Sequence, residues 1–307
     1  MSRLIRAGAV LCAIALAAAP VGSRAASQIS VGYIPVGEFI PNFVGVEKGF
    51  YAKYGLEVTL VPIPLASNVP AALLSGSVQI GMTTTPIFLQ ARENGIELAA
   101  ISGFARDTRA NPQLSLLARK GSGIAQAKDL EGKKVAVPGL NSLFDTALKK
   151  WMIDKGADPK KVSFSEARMP TLADILRGGN VDAITIIDPY RTRALGDGTA
   201  DKVSDYFSEM MDNQILAFWI VAREWGDKNP SLVDAYRKAM TESIAFVLAN
   251  AEEAQQIGAK NLKVPISSKW PNWSTDLAPA DFAFQAKMES DLGVLKKPVD
   301  TNVLMLK

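Results

Sequence analysis

Short apolar runs alternate along most of the chain with longer stretches in which apolar residues recur every three or four positions. The short runs are rich in Val, Ile and Leu and predict β-strands at residues 29–34, 56–63, 78–82, 98–103, 114–118, 134–137, 162–164, 183–187 and 215–222. Most of the stretches between them predict helices with recognisable ends. One spans residues 41–48 and is closed by Gly49; another spans 142–155 and is closed by Gly156. This succession predicts an α/β fold with mostly parallel sheets. The last third differs. Residues 230–261 read as one long amphipathic helical stretch, and a loop with Pro265, Pro271 and Pro279 separates it from a last helix at 280–292.

Four strand-to-helix junctions carry the candidate chemistry. The first strand is followed by Pro35-Val36-Gly37-Glu38-Phe39-Ile40-Pro41, and the third by Thr83-Thr84-Thr85-Pro86, in which Thr85 is the expected N-cap and Pro86 the first helical residue. Residues 134–137 lead into Pro138-Gly139-Leu140-Asn141-Ser142, where Ser142 and Asp145 have the spacing of a capping box. Residues 183–187 lead into Asp188-Pro189-Tyr190, again an expected N-cap followed by proline. In parallel α/β sheets ligands settle outside the carboxyl ends of strands, where such helix starts gather. Free backbone N–H groups and the positive end of the helix dipole favour anions there. Each junction is also an ordinary helix cap; their shared position in one cleft is what points to a site.

The N-terminus changes the picture of charge and compartment. Arg3 and Arg6 precede an apolar stretch at residues 7–19, and Ser23-Arg24-Ala25 follows the break at Pro20 and Gly22. That is the pattern of a cleavable export signal over residues 1–25. The apolar stretch is shorter than the roughly 20 residues of a membrane span. The chain has 34 Lys and Arg against 31 Asp and Glu. Residues 1–25 hold three arginines and no acid, so removing them leaves bases and acids equal in number. No basic surface for nucleic acid is therefore expected.

Composition also narrows the chemistry. The chain has no histidine, and its single cysteine, Cys12, lies inside the apolar signal stretch. Histidine-assisted nucleophilic triads, zinc sites built from His and Cys, and disulfides are excluded from the mature chain. No nucleotide-binding P-loop is present. With 48% hydrophobic residues the chain can bury the core of one large domain or two lobes.

Several segments together resemble a known family. Glu47-Lys48-Gly49-Phe50-Tyr51-Ala52-Lys53-Tyr54-Gly55-Leu56-Glu57-Val58 is similar to the opening signature of type II periplasmic binding proteins of the nitrate/sulfonate/taurine type, which share their fold with binders of thiamine-pyrimidine precursors. Residues 72–81 resemble a later block of that family, with Gln79 in place of its usual acid. Residues 128–137, 179–183 with Asp188-Pro189, and 229–233 resemble three further blocks, in order. The resemblance implies two lobes: residues 26–108 with 215–307, and residues 109–214. It implies hinges near residues 105–114 and 210–216, and capture of a small molecule by closure of the lobes. It also implies a periplasmic, monomeric, non-enzymatic protein without cofactor, serving an inner-membrane ABC permease with a separate ATPase subunit. A ligand-presenting sensor would use the same cleft. Enzymes on this fold, a fungal-type pyrimidine synthase and porphobilinogen deaminase, need His or Cys residues that the mature chain lacks.

The expected ligand is a small organic anion or zwitterion of sulfonate or taurine type; an aromatic acid or pyrimidine-type heterocycle is the alternative. The candidate contacts are Gly37, Glu38, Phe39, Thr83, Thr84, Thr85, Phe104, Arg106, Asn141, Ser142, Phe144, Asp188 and Tyr190. Thr and Ser hydroxyls offer neutral donors, and Arg106 offers a bidentate clamp or, in the plainer reading, a surface pair with Asp107. Glu38 points instead to an amine or ring N–H, with Asp188 assisting, or, in the plainer reading, is a solvated charge at the cleft rim. Phe39, Phe104, Phe144 and Tyr190 are candidates for an aromatic clamp, although large apolar residues usually serve the core.

Overall fold

The computed structural model describes residues 25–266 and 270–306. The export-signal reading of residues 1–25 thus lies, apart from Ala25, outside the described residues, as does Cys12. The strands are β1 (Ser27–Tyr33), β2 (Leu56–Pro62), β3 (Ile80–Thr83), β4 (Leu98–Asp107), β5 (Ser115–Arg119), β6 (Lys134–Val137), β7 (Ser163–Glu166), β8 (Ala183–Ile186), β9 (Ala200–Ser204), β10 (Gln214–Ala222) and β11 (Asn272–Trp273). They form two sheets, ordered β11-β4-β10-β3-β1-β2 and β7-β6-β8-β5-β9. Each of the nine apolar runs holds a strand. The central strands β3 and β8 are buried at every position, as expected where helices cover both faces.

The sheets are mixed, which corrects the expectation of mostly parallel ones. Parallel pairing holds for β1 with β2 and β3, and for β6 with β7 and β8. Antiparallel pairing holds for β4 with β10 and for β5 with β9. The reason lies in how the chain crosses between sheets. It leaves the first sheet along β4 and returns along β10; it enters the second along β5 and leaves along β9. Strands that lead out and back side by side must run in opposite directions. The β4–β10 ladder carries three register irregularities near Ala217 and Trp219, next to the crossings.

The helices follow local signals, with two departures. Ile40–Glu47 stops just before Gly49, whose φ of 74° ends the helix where only glycine is comfortable. The stretch expected as one long helix is two, Pro230–Ala249 and Ala251–Leu262, broken at Asn250. The Asn250 side chain donates to Phe246 O at 3.0 Å, competing with the regular backbone ladder.

One apolar cluster runs through both lobes. At its centre in the first lobe, Trp219 is fully buried against Phe104 (ring centroids 4.8 Å apart), Tyr236 (5.5 Å) and Phe39 (5.7 Å). Beside it Asn42 donates to both Tyr51 Oη and Tyr236 Oη, at 2.8 and 2.9 Å, tying Ile40–Glu47 to Pro230–Ala249. These contacts fix the floor from which the first junction, residues 34–39, projects into the cleft.

Candidate functional site

A cavity lies between the two sheets. The first lobe contributes Ile34, Val36 and Glu38 after β1, Pro64 and Ala66 after β2, Met82, Thr83 and Thr84 at the end of β3, and Leu216 and Ala217 on β10. The second contributes Pro138, Ser142 and Phe144 after β6, Met169 after β7 and Ile187 after β8. Six carboxyl ends of parallel-paired strands therefore converge on one space, as the rule for parallel α/β sheets requires. The space is small. The centre of a water-sized sphere can occupy about 40 Å³ of it, where one ordered water needs about 10–15 Å³.

The lobes touch around this cavity. Gly37 N donates to Asp188 O at 3.1 Å, Tyr190 Oη to Pro35 O at 3.0 Å, and Gln90 Nε2 to Asn141 O at 2.8 Å. Each bond joins a residue of the first lobe to one of the second, so the arrangement is a closed one.

The cavity's polar groups are few. Glu38 is only 2% exposed, and no donor from another residue reaches either carboxylate oxygen. Burial pushes its carboxyl up to about 8; its own backbone N–H and Arg191 oppose the shift, while Asp188 and Asp107 add to it. The loop is fixed from behind, because Trp273 Nε1 donates to Glu38 O at 2.8 Å. The Thr84 hydroxyl is buried without a partner, whereas Ser142 Oγ donates to Gly139 O at 2.6 Å. No lining residue is basic. Among the described residues, no group of three or more His, Cys, Asp or Glu is placed to hold a metal ion.

The structure brings Glu38, Thr83, Thr84, Ser142 and Phe144 to the cavity wall. Thr85 is buried one position further on; the N-cap is Thr84, one residue earlier than expected, and neither hydroxyl makes a capping bond. Ser142 is an N-cap by position, but Asp145 accepts instead from Asn141 N, at 2.8 Å. Asn141 itself is exposed, with φ of 56°, and serves the lobe contact through its carbonyl. Gly37 and Tyr190 likewise serve the contact between lobes.

Four expected contacts lie elsewhere. Arg106 pairs with Asp281 at 2.9 Å and donates to Asn213 O at 3.2 Å, because its place on β4 opposite Asn272 turns it to the edge of the first sheet. It pairs neither with a cavity group nor with Asp107, which accepts from Gln113 N at 2.8 Å. Phe39 stacks on Tyr33 (4.4 Å) and Phe104 packs on Trp219, so both belong to the core and the four-ring clamp does not form. Asp188 is not a cap ahead of Pro189 in the expected sense, since the helix begins at Tyr190. Its carboxylate accepts from Arg191, Thr192 N and Thr192 Oγ1, and the residue is not part of the cavity wall.

Arg191 is the functional residue that sequence reasoning missed. It is 7% exposed and also donates to the carbonyls of Pro112 (2.7 Å) and Gln113 (2.9 Å), binding the first crossing segment to the second lobe. Its signal was the Asp188-x-x-Arg191 spacing of an ion pair on one helical face. The apolar lining residues Pro64, Ala66, Met169 and Leu216 carried no signal that separates them from core.

Comparison with known proteins places this geometry in a family. Residues 37–254 match the family model described as NMT1/THI5 like. The nitrate/nitrite binding protein NrtA of Synechococcus elongatus is 23% identical over 82% of this chain, which spans 63% of that protein's length. The riboflavin-binding protein RibY of Chloroflexus aurantiacus is 24% identical over 74% of this chain and 63% of its own length. Among solved structures, the alkanesulfonate-binding protein SsuA of Xanthomonas axonopodis pv. citri, bound to MOPS, superposes with a TM-score of 0.79 at 16% identity, covering 91% of this chain and 97% of that one. The two-lobed fold and a family match over most of its length agree: the chain belongs to the NMT1/THI5-like family.

Proposed function

We propose that the protein is the solute-binding component of an ABC importer. It works in the periplasm as a monomer, captures one small organic molecule by closing its lobes, and delivers it to an inner-membrane permease served by a separate ATPase. The observation that carries the reading is the cavity at six strand ends, bridged by hydrogen bonds from lobe to lobe. Relatives named for nitrate and for riboflavin, and a structural neighbour holding MOPS, support a binding role while differing widely in ligand. Ligand chemistry is therefore set by the cavity wall.

A sulfonate-like anion fits this wall less well than a neutral or basic ligand. A buried anion needs a cation or several free donors; this wall has no basic residue and one unpartnered carboxylate. A compact ligand with an apolar body, closer to the heterocycle alternative, suits a wall of Ile34, Val36, Met82, Phe144, Met169 and Ile187.

Thermal melting of the mature protein against a panel of sulfonates, carboxylates, inorganic oxyanions, amines and nitrogen heterocycles tests the binding role. A ligand at a hundred times its Kd adds about 2.7 kcal/mol to native stability. A cooperatively melting protein that no compound stabilises would overturn the reading.

A further inference from the structure

We infer that the captured ligand is a nitrogen base, an amine or an aminoheterocycle, whose basic nitrogen lies against the Glu38 carboxyl. The inference deepens the solute-binding reading and rests on it.

A carboxyl group sealed in an apolar chamber is costly unless something meets it. Glu38 is 2% exposed, both its oxygens lack donors from other residues, and the residue is part of the cavity wall. No charged neighbour is free to serve it. Arg191 is committed to Asp188 and to the carbonyls of Pro112 and Gln113, and Asp107 to the backbone of Gln113 and Leu114. The partner must come from outside the chain.

The chemistry of that partner follows from the proton. Burial holds the empty Glu38 carboxyl at about 8, so closure without ligand favours its protonated form at neutral pH. A neutral nitrogen base accepts that proton, whereas a base that arrives protonated pairs with the carboxylate as Glu38 releases its own proton to solvent. In both cases a single proton ends between nitrogen and carboxylate, and the N–H donates. An anionic ligand has in this wall only the Glu38 proton and the Thr84 hydroxyl as unpartnered side-chain donors, and no basic residue to meet its charge. A purely apolar ligand would leave both oxygens unmet. Thr84, whose hydroxyl is also buried and unpartnered in the same wall, supplies a second polar contact. A base with one nitrogen and one further polar atom on an apolar body satisfies both residues.

Binding is measured by calorimetry and thermal shift on the mature protein and on Glu38→Gln, with primary amines, aminopyrimidines, and carboxylates and sulfonates of matched size. The expected result is that a base binds the native protein at least about tenfold more tightly than its matched acid, a difference of about 1.4 kcal/mol. Glu38→Gln abolishes that preference. Because Glu38 makes no side-chain contact with another donor, the variant is expected to melt no lower than the parent. If it does melt lower, Thr84→Val supplies the second readout, weakening bases that carry the further polar atom and sparing simple amines. Preference for alkylamines over aminopyrimidines, or the reverse, identifies which base it is. Tighter binding of an acid than of any base, or undiminished binding of the base by Glu38→Gln, overturns the inference while leaving the solute-binding role standing. Stabilisation by no compound at all defeats that role itself.

Discussion

Gly37→Ala is expected to weaken ligand capture without weakening the fold. Gly37 N donates to Asp188 O across the cleft at 3.1 Å. A methyl group built at Gly37 meets the same oxygen at 3.1 Å and Pro189 Cδ at 3.7 Å. The first contact is too tight for carbon against oxygen, and the atom met is backbone, so the lobes must part by a few tenths of an ångström. The bond that they share lengthens with them. Losing one hydrogen bond of this kind costs about 0.5–1.5 kcal/mol, which weakens Kd roughly two- to twelvefold. Every atom that the methyl approaches most closely belongs to the second lobe, so the open form is not strained. Gly37 is also not among the glycines with positive φ, and alanine there narrows the unfolded ensemble, worth about 0.4–1 kcal/mol in favour of the fold. Calorimetry gives Kd, and urea denaturation of the ligand-free protein gives stability. An unchanged Kd, or a loss of ligand-free stability in parallel with affinity, would refute the reasoning.

Two further predictions concern charges away from the cavity wall. Glu289, buried where the helix Ala283–Asp291 faces Asp145 and Lys149 of the second lobe, is pushed up to about 8 by burial, with Thr146 and Lys149 opposing and Asp145 adding to the shift. A carboxyl raised above its unfolded value of 4.5 gives its full stability below that value and loses it as pH rises to about 8. Glu289→Gln is therefore expected to gain stability over the parent between about pH 5 and about pH 8; urea melts giving the same difference at both pH values would contradict this. Arg191→Ala leaves Asp188 buried without its partner and frees the carbonyls of Pro112 and Gln113. A loss of about 3–5 kcal/mol in chemical denaturation is expected, and a loss below about 1 kcal/mol would show that the network does not hold the crossing segment.

The strand order of chemistry was legible because it depends on local pattern. Runs of Val, Ile and Leu marked nine strands, and the turns after β1, β3 and β6 put Glu38, Thr84 and Ser142 on the cavity wall. The strand β9 was not legible, since Ala200-Asp201-Lys202-Val203-Ser204 is polar enough to read as loop. Mixed sheet direction was not legible either, because it follows from the path of the chain between lobes and not from any window of residues. Side-chain destination was the weakest link. Phe39, Phe104 and Phe144 look alike in sequence, yet only Phe144 faces the cavity, because register on β4 and the turn at residues 37–39 aim the other two at Trp219. Arg106 was read as a ligand clamp on proximity to a strand end; Asp281, 175 residues away in sequence, is what takes its charge.

Capture of a nitrogen base at Glu38 places that nitrogen between the closed lobes. A crystal structure of the mature protein with the best-stabilising compound tests it most directly. In that structure the Gly37–Asp188 and Pro35–Tyr190 contacts are expected intact, with the ligand's nitrogen within hydrogen-bond distance of the Glu38 carboxylate and its apolar body against Phe144 and Met169. A ligand seated outside this cavity, or one that turns an acidic group toward Glu38, would contradict it.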